Sequence, residues 1–223
     1  MTAEHLTIDL GSGGSVSALL VRPQVARACY VLAHGAGAGM AHRFMEEVAS
    51  GLGDRGIATL RYQFPYMEKA SKRPDAPAVA HAAVRAAVAE AARRCADIPL
   101  LAGGKSFGGR MTSQAQAIKP LPGVRGLVFL GFPLHPAGKP ATERAAHLAK
   151  ILIPMLFVQG TQDKLAEPGL IGPVVAALES ATLHEVEAAD HSFHVPKRSG
   201  RTDREVMTEI LDAVAAWGRA IVA

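Results

Sequence analysis

The period of the apolar positions changes along the chain, and each change marks a different element. His5–Leu10 and Ser15–Arg22 alternate polar and apolar residues, the two-residue period of a strand with one buried face, and Gly11-Ser12-Gly13-Gly14 joins them as a hairpin turn. Ala28–Ala33 is instead an unbroken apolar run that ends in the glycine-rich stretch His34–Gly39, and Arg43–Arg55 then carries a helical pattern. This strand, loop and helix unit recurs. Ile57–Tyr62 precedes an alanine-rich helix over Asp75–Arg94, and Pro99–Gly103 precedes a helix over Ser106–Lys119. Val124–Gly131, Met155–Gly160 and Thr182–Val186 complete the strands, with helical patterns at Thr142–Lys150 and Ile171–Ser180 between them. Asp203–Ala220 closes the chain as an amphipathic helix, capped by Asp203, with Val206, Ile210, Leu211, Val214 and Trp217 along one face. A hairpin leading into alternating β and α elements predicts an α/β fold, with a mostly parallel, doubly wound sheet of about eight strands and helices on both faces. Nothing reads as a linker, repeat or low-complexity tract, so a single domain over residues 1–223 is expected.

Composition narrows the classes. With 49% apolar and 20% charged residues in 223, the chain can bury a core and is too apolar for a disordered one. Met1–Leu10 contains Glu4, His5 and Asp9, and so lacks both the basic and the apolar region of a signal peptide. No apolar stretch approaches the roughly 18 residues that span a bilayer. A cytoplasmic chain with no membrane partner is expected. Cys29 and Cys95 show no metal or redox spacing and read as reduced, packed thiols. The net charge of +4 is not accompanied by aromatics interleaved with the basic residues, which argues against nucleic acid as a partner. There is no helical His-x-x-x-His pair and no carboxylate cluster beside the histidines, so neither a metal nor another cofactor is expected.

The informative segment is Gly103-Gly104-Lys105-Ser106-Phe107-Gly108-Gly109, a G-x-S-x-G motif set between a strand and a helix. A serine nucleophile needs its hydroxyl exposed on a tight turn, and glycines two residues to either side remove Cβ atoms that would clash there. The alternative is a glycine-rich turn packed tightly for steric reasons alone. A serine hydroxyl is a poor nucleophile at neutral pH, so the chemistry requires a base and an orienting acid later in the chain. Asp163 lies just past the apolar strand Met155–Gly160, and His191 lies between the last strand and the last helix. Ser106, Asp163 and His191 thus all fall at carboxyl ends of strands, where open parallel sheets gather their active residues. The glycines of His34–Gly39 let a backbone N–H, that of Ala36, join the N–H of Phe107 as an oxyanion hole. A phosphate cradle is the weaker reading of that loop, because the GxGxxG spacing and a P-loop Lys-Ser/Thr are both missing.

These segments, together with Arg61–Tyr66 and Gly131–His135, give the chain a resemblance to small, dienelactone-hydrolase-like α/β-hydrolases, specifically a bacterial branch carrying HGAGAG, GGKSFGG and DHSF motifs. The resemblance runs over essentially the whole chain and implies the same three residues, Ser106, Asp163 and His191. Dienelactone hydrolases proper use a cysteine where this chain has Ser106, so their lactone substrate is not carried over.

Other residues hold two readings. His194 competes with His191 for the role of base and is read as a surface or supporting residue, and Asp190 is expected to point away from its neighbour. His34, Gly35 and His135 are candidates for lining the cleft, the histidines alternatively being hydrogen-bonded structural groups. Lys105 either steers an anionic substrate or satisfies a nearby acid. Lys69, Lys72, Arg73, Lys197, Arg198 and Arg201 suggest a positive rim favouring substrates with a carboxylate or phosphate. Residues 132–153 leave no room for a cap domain, and an open site suits short acyl groups. The expected function is a serine hydrolase of small-molecule ester-type substrates, with thioester cleavage, acyl transfer or non-catalytic binding as alternatives.

Overall fold

The structure, a computed structural model, describes residues 2–71 and 73–222. Its strands are β1 (Glu4–Asp9), β2 (Ser15–Val21), β3 (Ala28–Ala33), β4 (Ile57–Tyr62), β5 (Leu100–Lys105), β6 (Val124–Leu130), β7 (Met155–Gly160) and β8 (Ala181–Val186). Its helices are α1 (Arg43–Gly53), the single turn α2 (Pro65–Glu68), α3 (Pro77–Arg94), α4 (Phe107–Ile118), α5 (Pro168–Ala176) and α6 (Asp203–Val222). The strands form one sheet in the order β1-β2-β4-β3-β5-β6-β7-β8. β2 pairs antiparallel with β1 and β4, and every other pairing is parallel. This is the α/β-hydrolase architecture without a cap.

Burial explains the strand patterns. β3, β4 and β7 lie inside the sheet with all six residues buried, so both faces are covered and a two-residue alternation is lost, with Thr59, Arg61 and Gln159 the polar side chains buried among them. The edge strand β1 buries only Leu6 and Ile8 and keeps its alternation. α1 and α6 cover one face, where Met45, Val48, Leu52, Val206, Ile210 and Val214 meet Tyr30 and Leu32. α3, α4 and α5 cover the other, where α3 presents Ala80, Ala83, Ala87 and Ala91 at helical spacing to the sheet.

Several elements depart from the expected ones, among them α5, which spans Pro168–Ala176 rather than Ile171–Ser180, and the unexpected turn α2. Thr142–Lys150 is not an α-helix but two separate 3-10 turns, Glu143–Ala145 and Leu148–Lys150. Its buried residues, Ala145, Leu148 and Ile151, recur every third position, which fits three residues per turn rather than 3.6. β5 runs on through Gly103, Gly104 and Lys105, because these residues still pair with β3 or β6 despite their turn-like composition. The cap of α6 is Thr202 rather than Asp203. The Glu205 N–H donates to Thr202 Oγ1 at 3.2 Å and the Thr202 N–H donates to Glu205 Oε2 at 2.7 Å, a reciprocal capping box.

The chain crosses from one side of the sheet to the other at β3, which has β4 on one flank and β5 on the other. The loops after β3 and β5 therefore diverge and open a crevice at their carboxyl ends, the place where such sheets bind ligands.

Candidate active site

Ser106 sits between β5 and α4 with φ 50° and ψ −114°, a conformation that L residues rarely adopt and that costs of order 1–3 kcal/mol. Its N–H donates to Leu130 O at 3.1 Å, which fastens the turn to β6. The flanking glycines are required by β3 as much as by the turn. A Cβ on Gly104 would stand 2.2 Å from Ala33 O, and one on Gly108 would stand 2.6 Å from the carbonyl oxygens of Ala33 and His34. Such contacts are far inside van der Waals range, so the serine turn is pressed directly onto the strand that launches the glycine-rich loop.

His191 and Asp163 converge on this serine. Ser106 Oγ lies 2.9 Å from His191 Nε2, and His191 Nδ1 lies 2.7 Å from Asp163 Oδ2. The carboxyl of Asp163 can only accept from the ring, so Nδ1 carries the proton and Nε2 is left to accept from the serine hydroxyl. Asp163 is 1% exposed and fully coordinated: Oδ2 also accepts from Gln159 Nε2 at 2.6 Å, and Oδ1 accepts from the Leu165 N–H at 2.8 Å. Gln159 is itself oriented, because its Oε1 accepts from the Phe132 N–H at 2.8 Å. The sequence does carry a signal for Gln159, as the one polar side chain in the apolar run Met155–Gly160. Among the described residues, no protein acceptor takes the N–H of Phe107 or of Ala36, and Ala36 lines the cleft. A hydroxyl, a ring nitrogen able to take its proton and two free amide donors together can support acyl transfer.

The polar residues of Arg61–Tyr66, unexplained by pattern, turn out to hold the glycine-rich loop. The Gly37 N–H donates to Tyr66 Oη at 3.0 Å, the Met40 N–H donates to Gln63 Oε1 at 2.8 Å, and Arg61 Nη1 donates to Met40 O at 3.0 Å. His34 completes this scaffold and does not line the cleft. It is fully buried, its Nε2 accepts from the Phe64 N–H at 3.1 Å and its Nδ1 donates to Gly35 O at 2.7 Å. Burial pulls its pKa down, in keeping with this neutral form. His135 is likewise removed from the cleft, with Nε2 2.6 Å from Glu167 Oε2 and Nδ1 2.9 Å from Pro136 O. Gly35 does lie on the cleft wall.

The cleft at Ser106 has a volume of about 240 Å³ and is lined by the apolar Ala36, Ala38, Phe44 and Met45 and by the polar His42, Lys105, Ser106, His191 and Ser192. Among the described residues, none of the expected positive rim lines it. Arg201 is paired with Glu209, while Lys69, Arg73, Lys197 and Arg198 are exposed and none of them lines the cleft. Lys72 lies outside the described residues. Lys105 lines the cleft but among the described residues forms no ion pair with an acid, and its Nζ donates to the main-chain oxygen of His191. Burial pulls its pKa down to about 8, against the opposing pull of Asp163 and Asp190. His194 is turned away to the solvent-exposed Asp203, 2.9 Å from Oδ2, and Asp190 Oδ1 accepts from the N–H groups of Ser192 and His194 at 2.7 and 3.0 Å.

Residues 26–219 match the family described as alpha/beta hydrolase domain. The chain belongs to this alpha/beta hydrolase family. Among solved structures it is similar to a lid-less α/β serine hydrolase of Xanthomonas campestris, at 21% identity and a TM-score of 0.75 over 97% of this chain and 95% of that one. Dienelactone hydrolase of Anabaena variabilis superposes with a TM-score of 0.79 at 18% identity, covering 100% of this chain and 99% of the other. The esterase domain of a Rhodothermus marinus protein follows with a TM-score of 0.73 at 16% identity, over 100% of both chains. At such identities the likeness concerns the fold. Among the described residues, no three His, Cys, Asp or Glu side chains are grouped as they would be to hold a metal ion, and no helix is long and apolar enough to cross a membrane.

Proposed function

We propose that this alpha/beta-hydrolase is a serine hydrolase that cleaves a carboxylic ester through an acyl-enzyme, with Ser106 as nucleophile, His191 as base and Asp163 as orienting acid. The observation that carries the reading is the continuous hydrogen-bonded chain Ser106–His191–Asp163, with steps of 2.9 and 2.7 Å, rising from a serine held at positive φ. Ser106 Oγ attacks the carbonyl carbon while its proton passes to His191 Nε2. The N–H groups of Phe107 and Ala36 hold the resulting oxyanion. The tetrahedral intermediate collapses, the ester C–O bond breaks, and the departing alkoxide takes the proton from Nε2. Water then attacks the acyl-enzyme, gives a proton to Nε2, and releases the acid as Ser106 Oγ recovers that proton. Asp163 stabilises the imidazolium formed in each half-reaction and holds the tautomer that can accept.

The cleft favours a short acyl group. Its volume of about 240 Å³ and its apolar walls of Ala36, Ala38, Phe44 and Met45 suit a few carbon atoms. Intact-mass measurement after treatment with a fluorophosphonate tests the assignment. A single adduct is expected on the wild type and none on Ser106→Ala. A folded wild type that takes no adduct would be a binding module rather than a hydrolase.

A further inference from the structure

Lys105, adjacent to the serine, takes no part in the chemistry above, although it lines the cleft. Its side chain runs past Gly35 and Gly131. A Cβ on Gly131 would stand 2.7 Å from Lys105 Nζ and 3.5 Å from His191 Cε1, and one on Gly35 would stand 3.5 Å from Lys105 Cγ. At the end of the side chain Nζ donates to the main-chain oxygen of His191. It also lies 4.9 Å from the ring centroid of Phe193 and 5.9 Å from that of Phe44, two rings stacked at 11°. Phe193 holds φ at 65°, an uncommon conformation for a bulky residue.

The loop 190–194 is shaped by its own bonds, the Asp190 N–H donating to His194 O at 2.9 Å and the Phe193 N–H to Asp190 O at 3.0 Å. These bonds set the form of the loop but not its distance from β5. The Lys105 bond spans that gap, joining the residue before Ser106 to the backbone of His191 itself.

We propose that Lys105 is a positioning residue for His191: its ammonium, lodged against the Phe44 and Phe193 rings, holds the histidine loop to the strand that carries Ser106. Cation–π attraction and a charge-assisted hydrogen bond act together here, and both need the positive charge. Phe44 also walls the cleft, so the same contact joins the acyl site to the base. The proposal rests on the reading of Ser106 and His191 as the reacting pair.

Lys105→Met keeps the length of the side chain and removes the charge. It is expected to lower kcat about 10- to 100-fold with KM changed less than about threefold, because a small misplacement of the base affects the chemical step. Hydrogen exchange at residues 189–195 is expected to quicken in the same variant. Lys105→Cys treated with 2-bromoethylamine, which restores an ammonium at nearly the same reach, is expected to regain most of the lost kcat. A kcat for Lys105→Met within about threefold of wild type, or exchange in the loop identical to wild type, would overturn the proposal. The exchange measurement needs no turnover. It therefore decides whether Lys105 holds the loop even if the wild type fails to react with a fluorophosphonate, the outcome that would sink the catalytic reading instead.

Discussion

Replacing Asp163 by Asn tests how fully the site determines the state of its histidine. Three donors converge on this carboxyl: His191 Nδ1 and Gln159 Nε2 at Oδ2, and the Leu165 N–H at Oδ1. Asn brings one acceptor oxygen and one NH₂ group, and both orientations leave a mismatch. With its oxygen toward Leu165, the NH₂ group faces Gln159 Nε2, which cannot turn away because Gln159 Oε1 is held by the Phe132 N–H. His191 must then accept at Nδ1 and carry its proton on Nε2, where it can no longer deprotonate Ser106. With the NH₂ group toward Leu165, two N–H donors confront each other and the imidazolium loses its charged partner. Either way one buried donor goes unpaired, at a cost of about 1–3 kcal/mol, or roughly 2–12 °C in Tm for a chain of this size. Loss of the accepting tautomer lowers kcat by about 10³–10⁴. Steady-state hydrolysis of a short-chain p-nitrophenyl ester, beside thermal unfolding of the same samples, measures both. An Asn variant that keeps a tenth of the activity would refute the tautomer argument. One that is inactive yet melts with the wild type would refute the argument that all three donors are committed.

Tyr66→Phe is expected to free the Gly37 N–H and loosen the loop that presents Ala36, reducing kcat about 5- to 30-fold with KM little changed; ester kinetics would show it, and a pure KM effect would count against the scaffold role. Stability is expected to fall as the pH drops from neutral toward 4. Burial holds the pKa of His147 down to about 4, so between its ordinary value and 4 the unfolded chain binds a proton that the folded chain does not, and acid favours unfolding. His34, lowered for the same reason, acts in the same direction. Denaturant titrations across this range should show a shallower slope in His147→Gln, and an unchanged slope would contradict the assignment.

The sequence by itself determined the kinds of element and their order, because each follows from local physics. Burial on both faces made β3 a continuous apolar run and left only isolated polar positions in β4 and β7, and the turn before α4 required glycines around Ser106. Ser106, Asp163 and His191 were legible as residues at strand ends, since the order of strands and helices already fixes where those ends lie. Local patterning was also where reading went astray: Ala145, Leu148 and Ile151 make a period of three that resembles a helix until packing separates it into two turns. Partnerships across the sheet were decided only by the tertiary structure. His34 and His135 could equally have faced the cleft, and their orientation depends on which groups the folded chain brings to their ring nitrogens, the Phe64 N–H for one and the Glu167 carboxylate for the other. The same is true of Arg61, Gln63 and Tyr66, which meet the glycine-rich loop because β4 lies beside β3. Lys105 reaches the oxygen of a residue 86 positions away. Spacing along a chain records which side of an element faces the core, whereas the partner of a polar side chain is chosen by register and by the crossing of loops, which exist only once the sheet has formed.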